Sequence, residues 1–381
     1  MPRLDITRTD GVTVIHEGEP RVLFGGCNYL GLAQHPRVTA ALRDAIDAFG
    51  VSSAASRETT GDAAPHQRLE RTAAVFAGFG DAVALPEGYM ANLAALSALA
   101  ALHDRPVRTA LVDVASHASV PHAAIAAGMS VEHYPICDVA SASDLVKRRV
   151  GEPVAILTDG VFAPEGRRAP IRELLDLLPE DGWLVIDDCH GFGTVGARGR
   201  GSAEEAGVTH GPGEPDPRVI VTSTLAKAIG CYGGVVLGSD AFCEHLRASS
   251  TPYVCTTPVP PALAAAACES LLVHQDEPER VERLRANGSL LARALAPAGV
   301  TPDDRPLPVH VILSECSEER RRISQACERR GILLPAIRYP GGPPHPYFRV
   351  SVSSAHTQEQ ISMLGDALSE ACAHACGGAA G

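Results

Sequence analysis

The stretch WLVIDDCHGFGTVG, residues 183–196, joins an apolar run to two acids, a cysteine, a histidine and three spaced glycines. The run WLVI predicts a buried β-strand that ends at Asp187. Gly191, Gly193 and Gly196 form the pattern G-x-G-x-x-G of a dinucleotide-binding loop. Such a loop normally opens a helix in the first βαβ unit. Here the strand lies mid-chain and no helical periodicity follows the glycines, so a dinucleotide site is disfavoured.

Outward from this strand, short β-branched runs alternate with longer stretches rich in Ala and Leu. This alternation is typical of βαβ units in a parallel sheet. Several of the runs are apolar on both faces, which is expected where helices cover both sides of a sheet. The predicted strands are 81–85, 109–114, 130–136, 154–159, 183–187, 218–223 and 233–238, and the predicted helices between them include 66–79, 89–102 and 142–150.

The pattern changes after about residue 300. A strand over 347–354 and helices over 317–330 and 357–373 predict a small α+β domain. We therefore expect an α/β fold with a mostly parallel central sheet, helices on both faces, and a smaller C-terminal α+β domain. The expected divisions are an N-terminal segment (1–45), a large domain (46–265) and the C-terminal domain (266–381).

Composition excludes several classes of protein. The 381 residues are 45% hydrophobic, the net charge is −12, and no long basic run is present, so a nucleic-acid partner is not expected. The sequence has no apolar run of membrane-spanning length and no signal peptide, which predicts a soluble cytoplasmic protein without a membrane partner. Eleven scattered cysteines without a C-x-x-C pair predict small buried side chains and no metal site.

Polar residues with chemical potential follow two of the predicted strands. Asp187, Asp188 and His190 lie at the carboxyl end of a buried strand, where open α/β sheets place ligands. Lys227 follows another apolar strand in a setting that can lower the pKa of a lysine and suit it to Schiff-base chemistry. Taken singly, a helix-capping acid, a hydrogen-bonded loop histidine and a solvated lysine remain alternatives.

Further candidates lie elsewhere along the chain. Gly88 and Tyr89 begin an apolar helix whose free N–H groups suit an anion, and Thr224 adds a hydroxyl. His117 follows a strand, and Arg349 lies in a C-terminal strand, where its guanidinium could clamp a carboxylate. Together these groups describe pyridoxal 5'-phosphate (PLP) chemistry, which needs a Schiff-base lysine and an acid for the pyridine nitrogen.

The order and pattern of these segments resemble the α-oxoamine synthase family of fold-type I PLP-dependent enzymes. That family includes 8-amino-7-oxononanoate synthase, 2-amino-3-ketobutyrate CoA ligase, 5-aminolevulinate synthase and serine palmitoyltransferase. The resemblance covers nearly the whole chain, from NYLGL (28–32) to SSAHTQEQI (353–361). The segment EGYMAN (87–92) is most similar to the corresponding segment of serine palmitoyltransferase. The other matching segments include SHAS (116–119), DDCHGFGTVGARGRGS (187–202), TLAKAIG (224–230) and TTPVPPA (256–262).

The resemblance implies a role for each matching residue. Lys227 is similar to the lysine that bonds to PLP and later moves the Cα proton. Asp187 corresponds to the acid that keeps the pyridine nitrogen protonated. His190 corresponds to the donor to the phenolic oxygen, and His117 to the residue that stacks on the ring. The residues implied to hold the phosphate are Gly88, Tyr89 and Thr224.

The resemblance also implies partners and substrates. Thr257 is similar to a residue that reaches the phosphate in the neighbouring subunit, which implies a homodimer. Arg349 corresponds to the residue that binds the amino-acid carboxylate, and Asn28 lies where the family lines the substrate pocket. The implied reaction is an acyltransfer in which an α-amino acid condenses with an acyl thioester and loses CO2, giving an α-oxoamine.

Departures from the family pattern leave alternatives open. Only 27 residues precede Asn28, without the family's leading helix, which helps to shape the acyl-thioester entrance. A coenzyme A donor is therefore less favoured, and both an acyl carrier protein donor and a different amino-acid reaction on the same scaffold stay open. Ala163 and Glu87 replace residues that usually bear a small hydroxyl, and the segment 52–62 differs most from the family. An aminotransferase, decarboxylase or aldolase reaction on the same fold is the alternative function. A silent scaffold protein is disfavoured by the presence of all the implied catalytic residues.

Overall fold

The computed structural model describes residues 4–209, 215–301, 307–338 and 342–373. The chain forms two compact units. The larger unit comprises His35–Phe162 and Arg167–Glu277, and the smaller one comprises the chain up to Gln34, Ala163–Gly166 and the chain from Pro278 onwards. The domain bounds derived from the sequence stay a prediction.

The elements are numbered in chain order. The strands are β1 (Ile6–Thr9), β2 (Thr13–His16), β3 (Glu19–Leu23), β4 (Asp81–Leu85), β5 (Thr109–Asp113), β6 (Ser130–Tyr134), β7 (Val154–Asp159), β8 (Val161–Phe162), β9 (Arg167–Arg168), β10 (Trp183–Asp187), β11 (Val219–Thr224), β12 (Gly234–Gly238), β13 (Val309–Ile312), β14 (Ile332–Leu333), β15 (Ala336–Ile337) and β16 (Tyr347–Ser351). The α-helices are α1 (Pro36–Phe49), α2 (Ala64–Ala77), α3 (Gly88–Ala100), α4 (Ser119–Ala126), α5 (Val139–Lys147), α6 (Ile171–Asp176), α7 (Ser202–Glu205), α8 (Asp240–Ser249), α9 (Thr251–Val254), α10 (Pro261–Asp276), α11 (Glu279–Ala294), α12 (Ser317–Arg329) and α13 (Gln358–Ala373).

A seven-stranded sheet forms the centre of the larger unit, in the order β4-β12-β11-β10-β7-β5-β6. Strands β11, β10, β7, β5 and β6 are mutually parallel, whereas β12 runs antiparallel to both of its neighbours. Side chains alternate along each strand between two apolar cores, because successive residues face opposite sides of a sheet. One core includes residues of α2 and α10, and the other includes residues of α3, α4 and α8. The mostly parallel sheet with helices on both faces is confirmed.

The smaller unit contains two further sheets. In one, β1, β2 and β3 are antiparallel neighbours and β14 adds in parallel to β3. In the other, β16 lies antiparallel between β13 and β15. Helices α11, α12 and α13 contribute to its apolar core. The strands before Asn28 were not predicted, because their short, mostly exposed runs carry little of the period-2 pattern. Across the described ranges, no helix is long and apolar enough to span a membrane.

A buried ion pair fixes the edge of the larger sheet. The guanidinium of Arg57 donates to both carboxylate oxygens of Glu70, and its Nε donates to Asp62 at 2.9 Å. The side chains of Arg57 and Glu70 are only 4% and 6% exposed. Glu70 also accepts the outward N–H of Ala84, at 2.8 Å, on the edge strand β4. Among the described residues, no strand pairs with this side of β4, and Glu70 accepts a backbone hydrogen bond that such a strand would otherwise take.

We predict that Glu70→Gln lowers the free energy of unfolding by about 3–5 kcal/mol, because it removes the buried carboxylate of the Arg57 pair and leaves only the partly exposed Asp62 to balance the buried charge. Urea unfolding followed by circular dichroism measures the change. The exposed neighbour Glu58 supplies a matched control. Glu58→Gln should change stability by less than about 0.5 kcal/mol, and equal losses in both variants would contradict the role of the buried pair.

Candidate active site

The carboxyl ends of three adjacent parallel strands bring polar groups together. In register, Asp187 at the end of β10 lies beside Asp159 at the end of β7 and beside Thr222 of β11. Lys227 follows β11 by three residues and is half-buried. The strand ends thus collect two acids and an amine at one edge of the sheet, as ligand sites of open α/β sheets do.

Asp187 is a buried carboxylate with specific donors. It is 5% exposed, and it accepts hydrogen bonds from Asn92 Nδ2 at 2.7 Å and from the Cys189 backbone N–H at 3.1 Å. Burial alone disfavours a charged carboxylate, whereas hydrogen bonds to the charged form stabilise it. These two donors therefore allow the Asp187 carboxylate to face a bound cation or a protonated ring.

Asp159 responds differently to the same surroundings. Its burial and the neighbouring charge of Asp187 raise its pKa well above the usual range for a carboxyl group. The backbone N–H of His117, at 3.0 Å, and the charge of Lys227 oppose this shift. Since two adjacent carboxylates do not both ionise readily in a buried site, the raised pKa of Asp159 favours its protonated form beside Asp187.

His117 lies in the loop before α4. Burial lowers the pKa of its imidazole, and the charges of Lys227 and His122 lower it further, while Asp187 acts in the opposite direction. Its Nδ1 lies 2.7 Å from Ser119 Oγ. A lowered pKa favours the neutral ring at pH 7. A neutral imidazole suits a residue that stacks on a cofactor better than one that supplies a positive charge.

The start of α3 lies close to Thr224. A Cβ added to Gly88 would sit 2.9 Å from Thr224 Cβ and 3.4 Å from Cys189 Sγ, so only glycine permits this approach. Glu87, at the N-cap, makes no side-chain capping bond. The first N–H groups of this 13-residue helix therefore offer an anion site beside the Thr224 backbone.

The remaining predicted residues have separate positions. Tyr89 follows Gly88 and is 43% exposed. His190 is half-buried in the loop after β10, where its carbonyl accepts from Thr194 Oγ1 at 2.7 Å. Thr257 is exposed between α9 and α10. Asn28 and Arg349 belong to the smaller unit, in a turn and in β16 respectively. The catalytic and binding roles of all the predicted residues stay predictions.

The glycines of the G-x-G-x-x-G pattern serve local packing. A Cβ on Gly191 would collide with Asp188 Oδ1, and one on Gly193 would lie 2.7 Å from Ala228 Cβ. Gly193 and Gly196 also have φ values of 87° and 86°, in the region that favours glycine. These requirements account for the pattern without a nucleotide.

Asn92 is a site residue that the sequence analysis missed. It lies on α3, is 2% exposed, and bonds to Asp187, Ser119 and Thr222. A signal was present, because an amide inside the apolar helix GYMANLAALSALA must find hydrogen-bond partners. Helical spacing alone does not say which strand supplies them.

Asp188, beside the site, is a buried acid with one residue as its main partner. Burial raises its pKa to about 7, although Ser202 Oγ at 2.5 Å and Ser202 N at 2.9 Å stabilise the carboxylate. A raised pKa in the folded state means that the native protein binds this proton more tightly than the unfolded chain. Stability from Asp188 is therefore present at low pH and is lost as the pH rises towards 7.

We predict that Asp188→Asn, which mimics the protonated acid, becomes more stable relative to wild type as the pH rises. Between pH 5 and pH 8 the difference in unfolding free energy should grow by about 2–3 kcal/mol, measured by urea unfolding. The exposed Asp104→Asn controls for the loss of one formal charge. A difference that is constant with pH for Asp188→Asn would show that this carboxyl titrates normally.

The chain is similar to known proteins in sequence and in structure. Residues 20–368 match the family "Aminotransferase class I and II". An 8-amino-7-oxononanoate synthase of Methylococcus capsulatus is 38% identical over 363 residues, covering 94% of this chain and 91% of the relative. A serine palmitoyltransferase structure from S. paucimobilis superposes with a TM-score of 0.88 at 24% identity, covering 98% of this chain and 93% of that one. An 8-amino-7-oxononanoate synthase structure from Francisella tularensis gives 0.76 at 24% identity, covering 93% and 99%.

The two solved structures share the fold, and the family match and the more identical relative extend the likeness to the chemistry. The predicted PLP dependence, fold type and reaction class are confirmed. The chain belongs to the aminotransferase class I and II family and, within it, to the α-oxoamine synthases, which use PLP to condense an α-amino acid with an acyl thioester and release CO2.

Proposed function

We propose that this chain condenses alanine with the thioester of a seven-carbon dicarboxylic acid to form 8-amino-7-oxononanoate. The carbon count of the product supports both substrates. Carbons 1–7 of the nonanoate, with the 7-oxo group, correspond to a seven-carbon acyl chain that ends in a carboxylate. Carbons 8 and 9, with the 8-amino group, are what alanine leaves after it loses CO2.

The observation that carries this proposal is the likeness to enzymes with that product in their name. Relatives from Methylococcus capsulatus and Stutzerimonas stutzeri are 38% and 37% identical and cover 94% of this chain. The serine palmitoyltransferase structures match at 24–25% identity. The local pattern EGYMAN favours serine palmitoyltransferase, so serine with a long acyl thioester is the second candidate.

The residues of the larger unit fit PLP. Gly88 lies close to Thr224, and the free N–H groups at the start of α3 could bind the phosphate there. The buried carboxylate of Asp187 could bind the protonated pyridine nitrogen. When bound, PLP supplies an electron sink for the negative charge that develops at the amino-acid Cα. We infer that Asp187 strengthens this sink by holding a proton on the pyridine nitrogen.

The other side chains of this unit would bind, orient and move protons. Lys227 would hold the cofactor and transfer the Cα proton. Its charge affects the pKa values of Asp159, Cys189 and His117, which places the amine near the other residues of the site. His117, whose lowered pKa favours the neutral imidazole, would present its exposed ring to the cofactor. His190 would donate to the phenolic oxygen, and Tyr89 would add a second N–H at the phosphate.

Substrate and subunit contacts complete the proposal. Arg349 would pair with the carboxylate of the amino acid, and Asn28 would line its pocket. Thr257 would reach the phosphate in a second copy of the chain, which makes a homodimer the active species. An acyl carrier protein and coenzyme A are both candidate carriers of the acyl group. We place the reaction in the cytoplasm, because the relatives are biosynthetic enzymes of bacteria.

We predict that the PLP-loaded enzyme releases CO2 and thiol from alanine and a seven-carbon dicarboxylic acyl thioester, and that mass spectrometry detects 8-amino-7-oxononanoate. Serine with palmitoyl thioester should react at least about tenfold more slowly, since each substrate group must fit a shaped pocket. Offering each acyl chain on coenzyme A and on a carrier protein distinguishes the donors.

Lys227→Ala provides the control, because it removes the amine and should reduce product formation by about a thousandfold or more. Product from serine and palmitoyl thioester alone would favour the second candidate. Transamination or decarboxylation of the amino acid without any acyl product would contradict the synthase proposal.

A further inference from the structure

Asn92 connects two residues that are proposed to contact the cofactor. Its Nδ2 lies 2.7 Å from Asp187 Oδ2 and 2.9 Å from Ser119 Oγ. Its Oδ1 lies 2.5 Å from Thr222 Oγ1. Ser119 Oγ in turn lies 2.7 Å from His117 Nδ1. Asn92 and Ser119 are each 2% exposed and Thr222 is fully buried, whereas His117, at the end of this network, is exposed.

The charge of Asp187 fixes the orientation of the Asn92 amide. An ionised carboxylate only accepts hydrogen bonds, so the amide group facing Asp187 must be the NH2. The amide oxygen then faces Thr222, whose hydroxyl donates to it. The second hydrogen of the NH2 points to Ser119, and Ser119 Oγ must accept it. The Asn92 amide therefore uses both of its donors and its carbonyl oxygen.

The direction of these bonds sets the protonation of His117. Because Ser119 Oγ accepts from Asn92, its own hydrogen is available for His117 Nδ1. The backbone N–H of Ser119 also donates to this Nδ1, at 3.3 Å, and a backbone N–H cannot reverse its direction. Two donors on Nδ1 leave a neutral imidazole with its proton on Nε2.

We propose that Asn92 is a positioning residue that couples the ionised Asp187 carboxylate to the Nε2–H tautomer of His117 through Ser119. This inference rests on the proposed cofactor roles of Asp187 and His117. The Asn92 amide thereby serves two branches of the network, one to Asp187 and one through Ser119 to His117. It helps to keep the carboxylate charged, and it keeps the imidazole neutral and fixed in orientation. Thr222 holds the amide in place for both.

Other charged groups around His117 act on the same equilibrium. Asp187 favours protonation of the ring, whereas Lys227 and His122 oppose it, and Asp159 accepts the His117 backbone N–H. None of these groups selects one ring nitrogen over the other, since they act through charge or through the backbone. The selection of Nε2 falls to Ser119 and Asn92.

The test separates the two branches with two variants, Asn92→Ala and Ser119→Ala. The full-length chain, freed of cofactor and labelled with 15N-histidine, is studied by NMR, and His117→Asn assigns the His117 signals among the fifteen histidines. Wild type should show a single Nε2–H tautomer for His117. Both variants should give mixed tautomers, because only the longer bond from the backbone N–H of residue 119, at 3.3 Å, then favours the Nε2–H form. Both should also raise the titration midpoint of His117 by about half to one pH unit.

Binding of PLP distinguishes the branches, and the quenching of the single tryptophan, Trp183, reports it. Asn92→Ala should weaken PLP binding roughly ten- to a hundredfold, because Asp187 also loses a donor to its charge. Ser119→Ala leaves the Asp187 bond intact and should weaken binding by less than about fivefold.

Matched controls are buried residues that bond elsewhere. Asn287→Ala removes an amide that donates to the carbonyls of Ser353 and His356, and Ser250→Ala removes a hydroxyl that donates to the Ala94 carbonyl. Both controls should leave the His117 tautomer unchanged.

An unchanged His117 spectrum in Asn92→Ala and Ser119→Ala would overturn the inference. The same spectral change in the two controls would also overturn it, since it would show a general structural effect. The NMR measurement uses the cofactor-free chain, so its result does not depend on whether the proposed substrates are correct. Equal losses of PLP affinity in the two variants would contradict the link between Asn92 and Asp187.

Discussion

The rest of the site depends on one buried charge, the carboxylate of Asp187 at the end of β10. Burial makes this charge costly, and the structure offsets the cost with the Asn92 amide and the Cys189 N–H. Burial and, after it, this same charge raise the pKa of Asp159 and favour the protonated form of that neighbour. The charge also orients Asn92 and, through Ser119, His117. The hydrogen bonds of Asn92, Ser119 and His117 therefore form one network with the Asp187 carboxylate.

The fold supplies this charge with its partners from distant parts of the sequence. Asp187 and Asp159 meet because β10 and β7 are parallel neighbours that end at the same level. Asn92 reaches Asp187 from α3, which packs on one face of the sheet. Parallel connection through helices brings such strand ends together, so the site is a direct consequence of the α/β architecture.

Much of this could be predicted from the sequence. All seven strands of the large sheet were expected within a few residues. Six of them are compact apolar runs that are buried almost throughout, whereas the edge strand β6 is mostly exposed or half-buried. Asp187, Lys227 and Gly88 stood out because each marks the junction of an apolar strand or helix with a loop. Asn92 and the Arg57–Glu70 pair did not, since the meaning of a buried polar side chain depends on a partner far away in the chain. The short strands before Asn28 lacked a clear alternating pattern.

The protonation of the pyridine nitrogen tests the central role of Asp187 most directly. It can be measured by 15N NMR of the enzyme loaded with PLP that carries 15N in the ring. The wild-type enzyme should show a protonated ring nitrogen across the pH range in which it is folded, and Asp187→Asn should show an unprotonated one. An unprotonated ring nitrogen in the wild-type enzyme would contradict the account.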